Sequence, residues 1–139
     1  MIAAGPTIDR LKEKGFPYVF GILEWAGLRG APAYSPALYV IPAQESAKPN
    51  EMNGIHDQRV SSMFRVAILL KPNARAEGKA SDELEKVERR VIDALAGWRH
   101  PDATGGCDYV GGRLLSADGP PVAWAVDFMA AWRLRKGIS

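Results

Sequence analysis

Four groups of residues in this 139-residue chain have types and spacings that could do chemistry. The first is a double pair of glycines, Gly105–Gly106 and Gly111–Gly112, the second within the stretch DYVGGRLL. Glycines cradle a phosphate when they join a strand to the start of a helix, where backbone N–H groups and the helix dipole face the anion. Here an apolar run with strand character follows Gly112, and no Lys-Ser or Lys-Thr succeeds the pair. A bulge, or a point of close backbone approach within a strand, fits the pattern better. The second group is His100, Asp102 and Cys107, with His56 far upstream. Zinc sites use tighter, repeated spacings. A nucleophilic Cys/His pair has no small-residue elbow around the thiol to support it, so a loop histidine and a small buried thiol are expected. The third group, Asp82, Glu83, Glu85 and Glu88, opens a helix, where the dipole favours acids, and forms no acid/base pair. The fourth, Arg133, Arg135 and Lys136, is a basic end on the last strand, either a solvated tail or a contact for an acidic partner surface. The reading is of a protein that is not an enzyme and needs no cofactor or metal.

The totals agree with that reading. The length suits a single domain over residues 1–139, and 47% apolar with 24% charged residues is an ordinary globular profile. A net charge of +2 is too small for a dedicated nucleic-acid binder, which shows a dense basic face. One cysteine forms no intramolecular disulfide, which fits a reducing compartment. The N-terminus MIAAGPTIDRLKEKG lacks a signal-peptide pattern, and the apolar runs fall short of the ~20 residues needed to cross a bilayer. A soluble protein without a membrane role is expected.

The elements that would position these groups can be read from periodicity. Pro6 can sit in the first turn of a short helix with Ile8 and Leu11 on one face and Gly15 as terminator. YVFGI, from residue 18 through about Ile22, has strand character, and the stretch from there to Gly30 is ambiguous between a helical turn and a loop. ALYVIPA, residues 37 to 43, reads as a short strand closed by Pro42, and residues 44 to 58 as a long polar loop. Val60, Phe64, Val66, Ile68 and Leu70 alternate on one side of a long strand, with Ser62 the polar exception and Arg65 and Ala67 opposite. KPNARAEGKAS, residues 71 to 81, is a polar connection. Residues 82 to 96 carry the strongest helical stripe, Leu84, Val87, Val91, Ala94 and Leu95, with Asp82 and Glu85 at capping-box spacing and Glu85–Arg89 at i, i+4. Two extended runs then flank an Asp118–Gly119 turn, and the second alternates strictly from Val122 to Arg135. Trp25, Trp124 and Trp132 read as core, and Trp98 as core or an interface anchor. Consecutive strands without a βαβ rhythm give an α+β fold, a mostly antiparallel sheet packed with two helices.

With these elements in place, the segment from Ala94 to Phe128 resembles the tail-terminator family of long-tailed bacteriophages. Its marks are a helix ending Ala-Leu-x-Gly-Trp, a short proline-containing loop, the run Tyr-Val-Gly-Gly-Arg-Leu-Leu, and a Trp-rich strand with Asp-Phe. IDRLKEK, PALYVIPA and QRVSSMFRVAILL extend the likeness over nearly the whole chain. The resemblance implies a subunit of a hexameric ring, in a phage or prophage, that sits on the end of the tail tube, stops its polymerisation and presents the surface that joins the head. The implied partners are copies of itself, the tail tube protein and a head–tail connector protein, with DNA met only as it passes through the ring. Assembly would occur in the host bacterial cytoplasm and the product would reside in the virion tail. No functional side chain is transferred by the resemblance. By position, Gln44, Glu45, Asn50, Met52 and Arg59 in or beside the loop, and Arg133 and Arg135 on the last strand, are the expected interface residues. The alternatives are another minor tail or head–tail connector protein, a sheet-face RNA binder, disfavoured because the last strand's aromatics share its apolar face, and an enzyme using Cys107 with a histidine.

Overall fold

The computed structural model describes residues 1–71, 79–117 and 121–137. The element order is α1 (Ala4–Glu13), β1 (Val19–Phe20), α2 (Ile22–Ala26), β2 (Ala37–Ala47), β3 (Ile55–Leu70), α3 (Ala80–Leu95), β4 (Asp108–Ser116) and β5 (Val122–Gly137). The strands form one sheet in the order β1-β2-β3-β5-β4, antiparallel except for the short parallel β1–β2 pair. This is the α+β architecture that the alternating runs imply. The expected Asp118–Gly119 turn and most of the 71–81 connection lie outside the described residues.

The spine of the sheet is β3 against β5, paired in unbroken register from Ile55↔Gly137 to Leu70↔Val122. Because side chains alternate, the even-numbered residues of both strands share one face. That face buries Val60, and it packs Phe64, Val66, Ile68, Val126 and Phe128 in one core with Leu11 of α1 and Val87, Val91, Ala94 and Leu95 of α3. Phe64 and Phe128 are direct cross-strand neighbours and stack with ring centroids 5.6 Å apart. Each such side chain removed from water stabilises the fold by about 1.5–3 kcal/mol. Arg10 ties the helices together, its Nε donating to the Ala94 carbonyl at 3.0 Å. Pro6 lies in the first turn of α1, and Gly15, at φ 101°, ends that helix.

The structure corrects several local expectations. Strand character at 18–22 yields only Val19–Phe20; Ile22 instead opens α2, whose Glu24 carboxylate accepts the Gly21 N–H at 3.1 Å. The Asp82–Glu85 capping box does not form, because α3 begins earlier: Lys79 holds the N-cap position without a side-chain bond, and Asp82 and Glu83 lie inside the first turn. Carboxylates there still face the positive end of the dipole. Pro42 does not close β2, which passes a bulge between Pro42 and Gln44 and pairs on to Ala47↔Val60. The reason is positional. The Leu38 N–H donates outward to Tyr18 O at 2.9 Å, so alternation turns position 42 outward as well, where a missing N–H breaks no bond to β3. The polar stretch 44–58 is therefore mostly a hairpin, with only residues 48–54 as its connection. The second face of β3 is also covered at one end: Ala67 and Leu69 pack with Ala37, Tyr39 and Ala123 beneath Trp25 and Leu28. The tryptophans are half-buried, Trp25 in that smaller cluster and Trp98, Trp124 and Trp132 against the main core.

Candidate assembly surface

Beyond the smaller cluster the described residues of the second face are half-exposed or exposed, and the boundary is an ion pair. Arg65 and Asp127 are direct cross-strand neighbours joined at 2.8 and 3.2 Å, with side chains only 20% and 16% exposed. The Asp127 carboxylate raises the Arg65 pKa. A groove of about 570 Å³ lies alongside, between Trp25, Gln44, Met63 and Arg113.

Further along the same face, Asp57 anchors the basic end of β5. Arg133 grips its carboxylate through Nε at 3.0 Å and Nη2 at 2.8 Å, and Arg135 Nε stands 3.5 Å away. The hydrogen bonds from Arg133, then the charges of Arg133 and Arg135, hold the Asp57 carboxyl below the ordinary range. Arg59 lies directly opposite Arg133 in the ladder and is exposed. So the structure brings Arg133 and Arg135 together on one aspartate, with Arg59 on the same face opposite Arg133. Gln44, opposite Met63, belongs to this face as well.

Glu45 does not join them. The bulge turns it to the helix face opposite Ser62, whose hydroxyl donates to Glu45 Oε2 at 2.6 Å while accepting from Trp132 Nε1 at 2.9 Å. The Met1 ammonium reaches the same carboxylate at 2.9 Å. The Ser62 bond first, and the ammonium second, lower the Glu45 pKa. Ser62, the polar exception in an apolar stripe, thus ties β2, β3 and β5 at one height. Asn50 and Met52 form a third location, the hairpin tip. Asn50 Oδ1 accepts the N–H groups of Met52 at 3.2 Å and Asp57 at 3.0 Å, which shapes the connection and leaves Met52 51% exposed.

The glycine pairs are architecture. The β4–β5 register slips between Tyr109 and Gly111, a bulge, and a Cβ on Gly112 would lie 3.0 Å from Trp124 Nε1 and 3.2 Å from Ala125 O. His100, expected in a loop, is fully buried. Its Nε2 bonds Ala3 O at 2.7 Å and its Nδ1 accepts the Asp102 N–H at 3.0 Å, clasping the loop to the start of α1. Burial pushes the Cys107 thiol up to about 11, with Asp108 adding to the rise and a backbone bond from His100 opposing it. At neutral pH that sulfur is a thiol, not a nucleophilic thiolate. Among the described residues no group of three or more His, Cys, Asp or Glu side chains could hold a metal ion, and no helix is long and apolar enough to cross a membrane.

Two features escaped the sequence reading. Asp57 shares the parity of Arg59 and Arg65, so extending the β3 alternation back to Ile55 would have set it on their face; its place beside the arginines of β5 needed the register. The exposed Ile22, Leu23, Tyr109, Val110 and Leu114 had no signal in periodicity, because edge positions are apolar without being inward.

What the fold and these surfaces define is a small α+β protein with developed edges, a partly exposed second sheet face and a shaped hairpin tip. The family model described as phage tail terminator protein matches residues 1–139, so the chain belongs to the phage tail terminator family and is a structural protein of the phage tail. A search of curated proteins finds no match.

Proposed function

We propose that copies of this chain close into a ring, a hexamer, that caps the end of the tail tube, stops tube polymerisation and offers the surface to which the head is joined. The observation that carries this reading is the sheet face with its hairpin tip, where Arg59, Arg133, Arg135 and Met52 are exposed among the described residues. A chain working as one copy gains nothing from such a surface, whereas an assembly subunit uses it. The partners are then other copies of the chain, the tail tube protein and the head–tail connector protein, with DNA passing through the ring. Capping results if the ring occupies the templating surface of the last tube ring and presents a different surface outward.

The test is to add the purified chain to polymerising tail tube protein and to image the products. Rings at tube ends, with tube length falling as the chain is increased, are expected. Rings found on connectors and never on tubes would instead make the chain a connector component, and tubes of unchanged length would remove the capping role.

A further inference from the structure

The ring reading leaves open which surfaces of neighbouring copies meet, and the exposed apolar side chains point to an answer. Ten large apolar residues are exposed among the described residues. Five of them, Met1, Tyr18, Ile22, Leu23 and Tyr34, flank the β1–β2 side of the sheet, and three, Tyr109, Val110 and Leu114, lie on β4 at the opposite side. Only Met52 and Ile55 belong to neither.

The two clusters stand at the same height. Ser116 and Asp108 of β4 register with Ala123 and Met129 of β5, these with Leu69 and Met63 of β3, and these in turn with Ala37 and Gln44 of β2. β1 joins β2 at Leu38 and Tyr39, within that same span. A rotation about an axis roughly along the strands therefore carries the β4 side of one copy to the β1–α2 side of the next without a vertical shift. β4 and β2 also run in opposite senses, as neighbouring edges of an antiparallel sheet do.

We propose that the ring junction is this heterologous contact, with Tyr109, Val110 and Leu114 of one copy packed on Ile22 and Leu23 of the next. It rests on the ring reading and deepens it. The receiving side has a seat: an apolar groove of about 510 Å³ opens between Ile2, Ile22, Val40, Pro42 and Phe64. Both edges also discourage plain strand pairing. Pro42 lacks an N–H, β2 is bulged after it, and β4 is irregular beside Val110 and Leu115. Such devices block open-ended addition of strands, so the junction is made by side chains and its geometry is set by their shapes. Two different patches meeting head to tail close into a ring when the rotation allows.

Leu114→Glu and Leu23→Glu test the proposal. Both residues are exposed, at 53% and 82%, so each variant should melt as the wild type does. Solution mass is measured for each alone, for the mixture and for the wild type, with and without preformed tubes. Each variant alone is expected to be a single chain. The mixture is expected to stop at a pair, because the intact β4 side of Leu23→Glu meets the intact α2 side of Leu114→Glu and no second junction forms. Variants that retain wild-type mass would overturn this junction and leave the ring standing. A wild type that stays single even with tubes present would overturn the ring reading and the junction with it.

Discussion

Arg133 holds Asp57 across the sheet with two parallel hydrogen bonds, Nε to Oδ1 at 3.0 Å and Nη2 to Oδ2 at 2.8 Å. The pair joins the basic end of β5 to the start of β3. Its carboxylate pKa lies below the ordinary value, so the charged form is favoured by folding. Linkage fixes the sign. The pair stabilises the fold above the unfolded carboxylate value of about 4, and that contribution disappears as pH falls through the lower native value. Asp57→Asn should therefore melt earlier than the wild type at pH 7, and the gap should close on acidification below about pH 4. Melting curves of both proteins across that range check this; a gap independent of pH would show that the charge does not matter.

Ser62 makes a different kind of bond. Its side chain is inside, at 4% exposure, and serves two partners from neighbouring strands, Glu45 and Trp132. Ser62→Ala removes both bonds and leaves the half-buried Trp132 N–H without its acceptor. A loss of about 1–3 kcal/mol in unfolding free energy is expected, since an unsatisfied group costs more than the bond itself provided. Trp132→Phe removes the orphaned donor, so adding it to Ser62→Ala should cost less than it costs alone. Denaturant titrations of the two single variants and the double variant give that coupling directly.

These two networks show what could be read in the sequence. The alternation of Val60 to Leu70 and of Val122 to Arg135 specified two long strands and their buried face, because a period of two leaves one choice of side. It gave no hint that Ser62 bonds sideways to both neighbours, since registers between strands are not written in either strand alone. Residues 44–58 looked like a loop because polar residues occupy both faces of an arm that leaves the core. The clustering of Arg59 with Arg133 and Arg135 likewise needed the β3–β5 register. Glycine spacing was more informative. The irregularity at Gly111–Gly112 was legible because no helix follows, whereas the burial of the loop residue His100 was not: one of its two bonds is to Ala3, at the other end of the chain, and the other to Asp102.

Gly106 tests the architectural reading of the other glycine pair. A Cβ there would lie 2.6 Å from the carbonyl oxygen of Gly97, which is backbone and has no room to rotate away. The approach exists because Gly97 N donates to Cys107 O and Cys107 N to Trp98 O, both at 2.8 Å, pinning the segment before β4 to the end of α3. Gly106→Ala should cost about 1–3 kcal/mol, the range for overpacking a close contact. Gly105→Ala, with nothing within 4 Å of its added carbon, should stay within about 0.5 kcal/mol of the wild type. Equal effects from both substitutions would mean that lost chain freedom, and not the Gly97 contact, sets the requirement.

Met52 and Arg59 separate the roles of the hairpin tip and the second face. They are seven positions apart in sequence, yet Met52 lies in the connection shaped by Asn50 and Arg59 lies within β3 opposite Arg133. If neighbouring copies meet through β4 and α2, the tip is left free to meet the tube. Met52→Glu should then keep the wild-type solution mass and weaken attachment to tube ends by about tenfold, the change expected when an interface contact worth roughly 1.4 kcal/mol is lost. Arg59→Glu places a second acid beside Asp57, where it competes for Arg133, so its effect should fall on the face and grow weaker as salt screens the charges. Co-sedimentation with preformed tubes across a salt series distinguishes the two. A Met52→Glu protein that binds tubes as the wild type does would take the tip out of the tube contact, and one that loses mass would move it into the contact between copies.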